Sequence, residues 1–374
     1  MTMDRRKFVK AGAFFAASSA LSIPALVRPA SGASAATRGS VGRDLNMAGY
    51  PTEHVKGFMS GEVQVEDSKV QFKPGAIGDL NTEVFSNSGT LDFSEIGLVP
   101  YIVAFANEDF RAYSLIPVFP LRIFRHKSIF VHTDRGINVP ADLKGKRIGT
   151  PGYSSTSLVW IRGLLQDECG VHPQDIEWVV SQKDSSVKDS GKASKQENVF
   201  PDGLKVRTGP EGKDESDLLI DGDVDALFHA AEPRAFIEGH PKVKRLFDDP
   251  RRIEQEYYAR TGIFPIMHSV AIRNDLIEQH PWLPKAVFDA YGKSKRMAYA
   301  DMRGKWYLRT MPWFAQELEA TKELMGENFF PYGIAPNRKA LNILFRYAQE
   351  QGLASRQLKI EDVFVPSSLE FSDG

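Results

Sequence analysis

The chain has 374 residues, of which 42% are hydrophobic, 25% charged and 11% aromatic, and this composition excludes a disordered, collagen-like or disulfide-scaffold protein. The formal net charge of -1 provides no basic field that would attract nucleic acid, and the single cysteine, Cys169, excludes an internal disulfide and a cysteine-rich metal centre. The length suits two domains of ordinary size, each with its own core.

The first residues of the chain have the order of an export signal. Basic residues that include Arg5 and Arg6 precede a weakly apolar run over 11–27, and small residues lead to Ala-Ser-Ala at 33–35. This order is typical of a cleaved secretory signal, and the paired arginines look like a twin-arginine signal. A Sec signal would also predict export, and an amphipathic first helix is the structural alternative. We expect residues 1–35 to direct the chain to the export machinery and be removed, which makes the mature protein periplasmic.

Apolar patterns in the first part of the mature chain predict alternating strands and helices. Pro51 and Thr52 are typical of a helix start, with Thr52 as the candidate N-cap. Residues 92–106 are apolar with a helical spacing, whereas 110–119 form an apolar run that indicates a buried strand. The predicted elements of this part are a strand at 45–50, a helix at 51–61, strand pieces at 63–65 and 70–72, a helix at 92–106 and a strand at 110–119.

The alternation of strands and helices continues through the middle of the chain. Residues 181–217 are rich in Ser, Lys, Asp, Gly and Glu, which indicates an exposed loop with a short edge strand at 203–206. Largely helical sequence follows residue 273. The whole pattern predicts α/β architecture with a mostly parallel sheet. The predicted elements around the loop are strands at 128–132, 147–149 and 177–180, a helix at 156–168, and a helix that runs into a strand over 218–228.

Several phrases in the sequence match one protein family. They include FRHKSI at 124–129, ADLKGK at 141–146, GIFPIMH at 262–268 and PYGI at 331–334. Together these phrases resemble the 4,5-dihydroxyphthalate decarboxylase group over nearly all of the mature chain. ADLKGK is common to many type 2 binding proteins, while the other three phrases are more specific to the decarboxylase-like branch. That group is in turn similar to the type 2 periplasmic solute-binding proteins of ABC transporters.

The resemblance implies the type 2 periplasmic binding protein fold, in which two α/β lobes are joined by a hinge and enclose a ligand cleft. In that fold the first lobe consists of an N-terminal and a C-terminal segment, and the residues between them form the second lobe. We therefore expect residues 44–132 and 265–374 to form lobe one and residues 133–264 to form lobe two. Gly262 and Pro265 flank the expected return crossing.

Arg125, His126 and Ser128 form the densest group of hydrogen-bond donors beside a predicted strand. An arginine at this place can hold a carboxylate through two parallel hydrogen bonds, and Ser128 can add a hydroxyl donor. A solvent-exposed basic turn is the structural alternative. The family phrase that contains these residues favours the ligand-binding interpretation.

Tyr153, Ser154, Ser155 and Thr156 follow a predicted strand and open a predicted helix. The free N–H groups and the positive dipole end of a helix N-terminus suit an anionic ligand. Simple N-capping by Ser154 or Ser155 explains the same pattern, and both explanations can hold together. Tyr153 either stacks on an aromatic ligand or packs in the core.

Two histidines are candidates for proton transfer. His229 follows a predicted strand and lies near Glu232, at the strand end that faces the crevice in open α/β sheets. His268 follows an apolar run near the expected hinge. Either histidine can donate a proton near neutral pH, while a hydrogen-bonded structural histidine is the alternative. Glu232 is a candidate ligand contact, but the decarboxylase-like group often has a basic residue near this position, so the acid weakens the transfer of a catalytic role.

The sequence contains no H-E-x-x-H, G-x-G-x-x-G, Walker A or G-x-S-x-G motif. We therefore expect no organic cofactor, no serine hydrolase and no metal site of the short-motif type. The absence of these motifs does not exclude a metal site formed by residues that are distant in sequence.

Two functions fit these observations. The export signal and the binding-protein fold favour a periplasmic receptor that captures a small anion, such as an aromatic carboxylate, for an ABC permease. The family resemblance implies the alternative, a decarboxylase for 4,5-dihydroxyphthalate or a similar aromatic acid, with His268 or His229 as the proton donor and Arg125 as the carboxylate clamp. Export weighs against the enzyme, because aromatic ring degradation generally takes place in the cytoplasm.

Overall fold

The computed structural model describes residues 41–373, so the expected export signal at 1–35 lies outside the described residues. Strand bounds agree with the sequence predictions most closely where the strand is short and bordered by turn residues. In chain order the strands are β1 (Leu45–Gly49), β2 (Val70–Pro74), β3 (Phe93–Gly97), β4 (Tyr113–Ile116), β5 (Ile129–His132), β6 (Arg147–Thr150), β7 (Glu177–Val180), β8 (Lys205–Thr208), β9 (Ala226–Phe228), β10 (Val243–Arg245) and β11 (His268–Arg273).

The helices become longer and more frequent after β11, as the sequence predicts. Within the described residues, no helix is both long enough and apolar enough to span a bilayer. In chain order the helices are α1 (Lys56–Met59), α2 (Ile77–Phe85), α3 (Leu98–Asn107), α4 (Thr156–Cys169), α5 (Val187–Ser190), α6 (Glu215–Ile220), α7 (Arg234–Ile237), α8 (Pro250–Thr261), α9 (Asn274–Gln279), α10 (Leu283–Gly304), α11 (Phe314–Met325), α12 (Arg338–Glu350) and α13 (Ile360–Val363).

The strands form two mixed sheets, each belonging to one lobe of a two-lobe α/β fold. The first sheet has the order β2-β1-β3-β11-β4, and β11 runs antiparallel to both of its neighbours. The second sheet has the order β10-β5-β9-β6-β7-β8, and β5 runs antiparallel to β9 and β10. The strands β6, β7, β8 and β9 are mutually parallel, so their carboxyl ends meet at one edge. The predicted fold class is confirmed. Parallel pairing holds for β2, β1 and β3 in the first sheet and for β9, β6, β7 and β8 in the second.

The chain crosses between the two sheets twice, and the two crossing segments pair with each other. The amide of Ile123 donates to the carbonyl of Pro265 at 3.2 Å, and the amide of Met267 donates to the carbonyl of Leu121 at 3.0 Å. The strand β5, expected in lobe one, pairs with β9 and β10 in the second sheet. The sheet topology therefore favours a first crossing before Ile129. The sequence did not indicate this boundary, because a four-residue apolar strand carries no local signal of which sheet it joins.

The apolar stretch at 92–106 is a strand followed by a helix, not one helix. Strand β3 occupies its start and α3 its remainder. Every residue of β3 is buried, so the strand has no alternation of apolar and polar residues that would distinguish it from a helix. Its pairing with β1 on one side and β11 on the other decides the conformation.

Helix α4 packs so closely against α12 that its middle position requires a glycine. A Cβ atom on Gly163 would lie 2.2 Å from the ring of Tyr347. The same helix is held by a hydrogen bond of 2.9 Å from Nε1 of Trp160 to the carbonyl of Ile266 and one of 2.8 Å from Nε of Arg162 to Oε1 of Gln351. These contacts hold α4 against the second crossing segment and the end of α12.

We expect Gly163→Ala to lower the free energy of unfolding by about 1 to 3 kcal/mol, because the added methyl group forces the Tyr347 ring out of a packed position. Gly304→Ala is the matched control, since Gly304 is also helical and a Cβ there meets nothing within 4 Å. Its effect should stay within about 0.5 kcal/mol. Denaturant unfolding of both variants measures the difference, and equal stability of the two would contradict the proposed packing.

Candidate functional site

A cavity of about 270 Å³ is bounded by residues from both sheets. Tyr50 follows β1, Gly97 ends β3 and His268 begins β11, while Gly152 follows β6 and Ala230 follows β9. The location agrees with the general position of ligand crevices at the carboxyl ends of parallel strands. The volume is close to the lower end of small-molecule sites, roughly 300 Å³. The cavity therefore fits a small ligand.

His268 and Glu95 form a buried pair in the cavity wall. Nδ1 of His268 lies 2.6 Å from Oε1 of Glu95, and the two side chains are 8% and 1% exposed. They are brought together because β11 pairs antiparallel with β3, which sets His268 opposite Gly97 and Val270 opposite Glu95. With Nδ1 engaged by the carboxylate, Nε2 is the ring nitrogen available to the cavity that His268 lines. A carboxylate in this position fixes the orientation of the imidazole ring.

Tyr50 completes the environment of this pair. Its ring stacks on the His268 ring with centroids 5.6 Å apart, and its amide donates to Oε2 of Glu95 at 2.9 Å. Burial raises the pKa of Tyr50 to about 12, so the phenol keeps its proton at neutral pH. Gly49 precedes it at a close approach, since a Cβ there would lie 3.0 Å from Oε2 of Glu95. Both oxygens of Glu95 are therefore held in place.

Arg125 lies in the wall of the same cavity and is 3% exposed. Its guanidinium donates to the carbonyl of Ala230 at 2.6 Å and to Oγ of Ser157, and two of its nitrogens contact the sulfur of Met267. No carboxylate of the described residues forms an ion pair with it. Burial lowers the pKa of Arg125 to about 9, so the side chain stays charged at neutral pH. A buried cation without an anionic partner is unfavourable, and an anionic ligand would relieve it.

Two helix N-termini also reach the cavity. Helix α4 begins beside it, with Ser155 as N-cap and with Thr156 and Ser157 in its first turn. Oγ1 of Thr156 accepts a hydrogen bond of 3.0 Å from the amide of Val99 in α3, which ties the two helix starts together. The positive ends of both helix dipoles favour negative charge at this side of the cavity.

Acidic residues also line the cavity. Asp184, Asp189 and Glu197 come from the segment between β7 and β8. Glu197 lies close to the start of α4, because its carbonyl accepts a hydrogen bond of 3.1 Å from the amide of Ser154. Carboxylates accept hydrogen bonds and repel anions. The cavity wall thus contains both positively charged donors and acidic acceptors.

His229 lies next to Asp184 but does not line the cavity. It is 0% exposed, and its Nε2 atom lies 3.2 Å from Glu215 and 3.6 Å from Asp184. Burial disfavours the charged imidazole, but the two carboxylates outweigh burial and raise the pKa of His229 to about 10. The parallel strands explain the cluster, because Asp184 follows β7, Glu215 follows β8 and His229 follows β9.

Of the residues that the sequence singled out, four line the cavity: Arg125, Ser155, Thr156 and His268. The other candidate residues do not line this cavity. The sequence could not separate the two groups, because local sequence does not reveal which way a side chain points. Ser154 is buried and bonds the carbonyl of Gln196 and the amide of Val199, and Tyr153 packs on Trp178 and Phe200 with Arg162 over its ring. His126 packs against Phe247 and Tyr257, Ser128 accepts a weak hydrogen bond of 3.5 Å from Arg125, and Glu232 is exposed and paired with Arg245.

Sequence reasoning missed Glu95, Tyr50 and the acidic residues of the cavity wall. Glu95 lies inside an apolar stretch that we expected to be helical, and an acid between buried apolar residues is the signal that could have identified it. Asp184 and Glu215 lie in the polar segment that we expected to be an exposed loop. Glu215 is 0% exposed, because α6 packs against the second sheet.

Known proteins of similar sequence share one name. The chain is 37% identical over 327 residues to a 4,5-dihydroxyphthalate decarboxylase of Comamonas testosteroni, an alignment that covers 87% of this chain and 97% of that protein. It is 34% identical over 204 residues to a 4,5-dihydroxyphthalate decarboxylase of Pseudomonas putida, covering 54% of this chain and 77% of that protein. The family described as NMT1/THI5 like matches residues 123–193.

Solved structures with a similar fold include binding proteins and an enzyme. A periplasmic sulfonate-binding protein, SsuA, of Methylobacillus flagellatus has 17% identity and a TM-score of 0.50, covering 87% of this chain and 92% of that one. The aliphatic sulphonate binding protein SsuA of Escherichia coli has 15% identity and a TM-score of 0.50, covering 86% and 92%. The desulfurization enzyme DSZB has 16% identity and a TM-score of 0.50, covering 87% and 97%. At these identities the likeness shows the fold alone.

Arg125→Met should weaken binding of phthalate, a dianion without ring hydroxyls, by about 2 kcal/mol, because it removes the charged donor of the cavity. The unliganded variant should be as stable as the wild type or more stable, since a buried cation without a carboxylate partner is lost. Calorimetric titration and thermal unfolding measure the two effects.

The matched control is Arg162→Met, because Arg162 is also buried but lies outside the cavity lining, where it donates to Gln351 and to the carbonyl of Tyr153. This variant should lose stability and keep its phthalate affinity. Wild-type affinity in Arg125→Met would remove Arg125 from the binding site.

His126 should make the protein sensitive to mild acid. Burial lowers the pKa of His126 to about 4, whereas an unfolded histidine titrates near 6.5. Between these pH values the unfolded chain binds the extra proton, so the free energy of unfolding falls as the pH drops. The contribution of His126 should be about 1 to 2 kcal/mol smaller at pH 5 than at pH 7.

Denaturant unfolding of His126→Gln at both pH values tests this expectation, because the variant should lose part of the pH dependence. His172→Gln changes an exposed histidine and should retain the wild-type dependence. Identical pH dependence in the two variants would show that His126 does not contribute.

Proposed function

The chain belongs to the 4,5-dihydroxyphthalate decarboxylase family, and we propose that it removes CO₂ from a dihydroxylated aromatic dicarboxylate in this cavity without an organic cofactor. The observation that carries the proposal is the pairing of two features in one small cavity. Arg125 is a buried cation with no carboxylate partner among the described residues, and His268 is an imidazole backed by a buried carboxylate. A clamp for one carboxylate and a donor for one proton are the two groups that this reaction needs.

The polar groups that line the cavity suit this substrate class. A dihydroxyphthalate carries two carboxylates on one edge of the ring and two hydroxyls on the opposite edge. Arg125 and the start of α4 can supply donors for the carboxylates. Asp184 and Asp189 can accept hydrogen bonds from the hydroxyls and would repel the carboxylates. The cavity therefore offers partners for both kinds of substituent.

In the proposed reaction, His268 donates a proton from Nε2 to the ring carbon that bears the departing carboxylate. The ring supplies the electron pair for the new C–H bond, and the hydroxyl opposite that carbon delocalises the positive charge. The bond to the carboxylate then breaks, its electrons restore the aromatic ring, and CO₂ leaves. Glu95 acts as a positioning residue, since its contact with Nδ1 orients the imidazole so that Nε2 is available for proton transfer. His268 regains its proton from water.

A second candidate function is capture of the same kind of anion for an ABC permease in the periplasm. The likeness of the fold to sulfonate-binding proteins supports it, as does the basic and apolar order of residues 1–35. In this case Arg125 and α4 hold the ligand in the same way, and His268 and Glu95 serve only to orient it. The two candidates differ in whether the ligand is converted.

Incubation of the purified protein with 4,5-dihydroxyphthalate should release one CO₂ per dihydroxybenzoate formed. In D₂O the product should carry one deuterium at the carbon that lost its carboxylate, because the proton comes from an exchangeable group. Mass spectrometry and NMR of the product measure both. A raised melting temperature without product would favour the receptor instead.

His268→Gln should lower kcat by roughly 10² to 10⁴-fold, because it removes the proton donor, while the rise in melting temperature with ligand should remain. His280→Gln is the control, since His280 lies outside the cavity lining. Undiminished turnover in His268→Gln would exclude this histidine as the donor.

A further inference from the structure

We propose that Asp184, Glu215 and His229 form a binding site for one divalent transition-metal ion beside the cavity. The three residues come from the segments that follow β7, β8 and β9, whose carboxyl ends meet at one edge of the second sheet. No short sequence motif contains them, because the segments are far apart in the chain. The proposal is independent of catalysis, since a receptor could hold the same ion.

The separations between the candidate ligand atoms match those around a metal ion. Nε2 of His229 lies 3.2 Å from Oε1 of Glu215 and 3.6 Å from Oδ1 of Asp184. All three ligand atoms lie within 4.8 Å of one another. Two ligands that are each roughly 2.1 Å from a tetrahedral zinc ion lie about 3.4 Å apart. The cluster is therefore spaced for an ion between its members.

The Nε2 atom of His229 gives a second, independent indication of a ligand. It is fully buried and has no hydrogen-bond partner among the described residues, although a carboxylate oxygen is near. The contact of Nε2 with Glu215 at 3.2 Å is within ion-pair distance but is not a hydrogen bond. A metal ion in the plane of the imidazole ring, along the lone pair of Nε2, would give this atom a partner. Buried polar atoms without a partner are rare and require an explanation.

The neighbours of the cluster orient it as the outer partners of metal ligands do. Nδ1 of His229 lies 2.8 Å from the carbonyl oxygen of Ala231, the shorter of its two contacts with that backbone. The amide and hydroxyl of Ser186 each donate to Oδ1 of Asp184 at 2.7 Å, and the hydroxyl of Ser185 donates to Glu215. Metal-bound histidines and carboxylates are characteristically held by such hydrogen bonds.

The donor set and its position indicate the kind of ion. One imidazole with two carboxylates suits Zn²⁺ or Mn²⁺ better than Ca²⁺ or Mg²⁺, which prefer oxygen ligands alone. Three protein ligands leave at least one coordination position open. Glu215 and His229 are 0% exposed, whereas Asp184 lines the cavity. Asp184 thus connects the proposed metal site to the cavity.

The test is metal titration of the full-length protein after dialysis against a chelator. We expect saturable binding of one Zn²⁺ per chain, a higher melting temperature with excess Zn²⁺, and a visible absorption band when Co²⁺ replaces it. Asp184→Asn should weaken Zn²⁺ affinity at least tenfold, and because Asp184 is only partly buried, this variant avoids disturbing the core. His229→Gln should abolish the Co²⁺ absorption band.

Asp189→Asn is the matched control, since Asp189 lines the same cavity but is not one of the three residues. It should bind Zn²⁺ as the wild type does. Absence of saturable binding, or unchanged affinity in a folded Asp184→Asn variant, would overturn the proposal and leave His229 as an imidazolium between two carboxylates. Circular dichroism establishes that each variant is folded. Neither outcome depends on whether 4,5-dihydroxyphthalate is converted.

Discussion

The burial of Arg125 without a carboxylate partner is the constraint on which the rest of the site depends. Its guanidinium is held by the carbonyl of Ala230 after β9, by Ser157 in α4 and by the sulfur of Met267 in the second crossing. These contacts are neutral, and no carboxylate of the described residues lies within ion-pair distance, although the charge of Glu254 acts on the guanidinium from further away. The three partners come from different elements, so Arg125 connects β9, α4 and the second crossing at the wall of the cavity.

The two sheets contribute different chemistry to one cavity. The first sheet supplies the proton-handling pair, because the antiparallel pairing of β11 with β3 brings His268 to Glu95. The second sheet supplies groups that recognise charge, at the carboxyl ends of its parallel strands. A binding protein needs only the second contribution, whereas a decarboxylase needs both. The fold by itself does not decide between them, and the buried pair is the feature that favours chemistry.

The sequence predicted the site residues that lie in family phrases or open a helix, and it missed the site residues that are buried by packing of distant segments. Arg125 and His268 were found from family phrases, and the start of α4 from small polar residues after a strand. Glu95 was missed because a uniformly buried strand has no periodicity to separate it from a helix. Asp184 and Glu215 were missed because a segment rich in Ser, Lys and Asp predicts solvent exposure, while packing on the second sheet buries part of it. Long-range packing, which no local pattern encodes, made each of these differences.

The acidic residues of the cavity wall first look unsuited to a protein that binds anions. Asp184 and Asp189 repel carboxylates, but they accept hydrogen bonds from hydroxyl groups. In the proposed decarboxylase, a substrate that carries both carboxylates and hydroxyls would place its carboxylates at Arg125 and its hydroxyls at the acids. Attraction by Arg125 and repulsion by the acids would then favour the same orientation, and a small anion without hydroxyls would gain only the attraction.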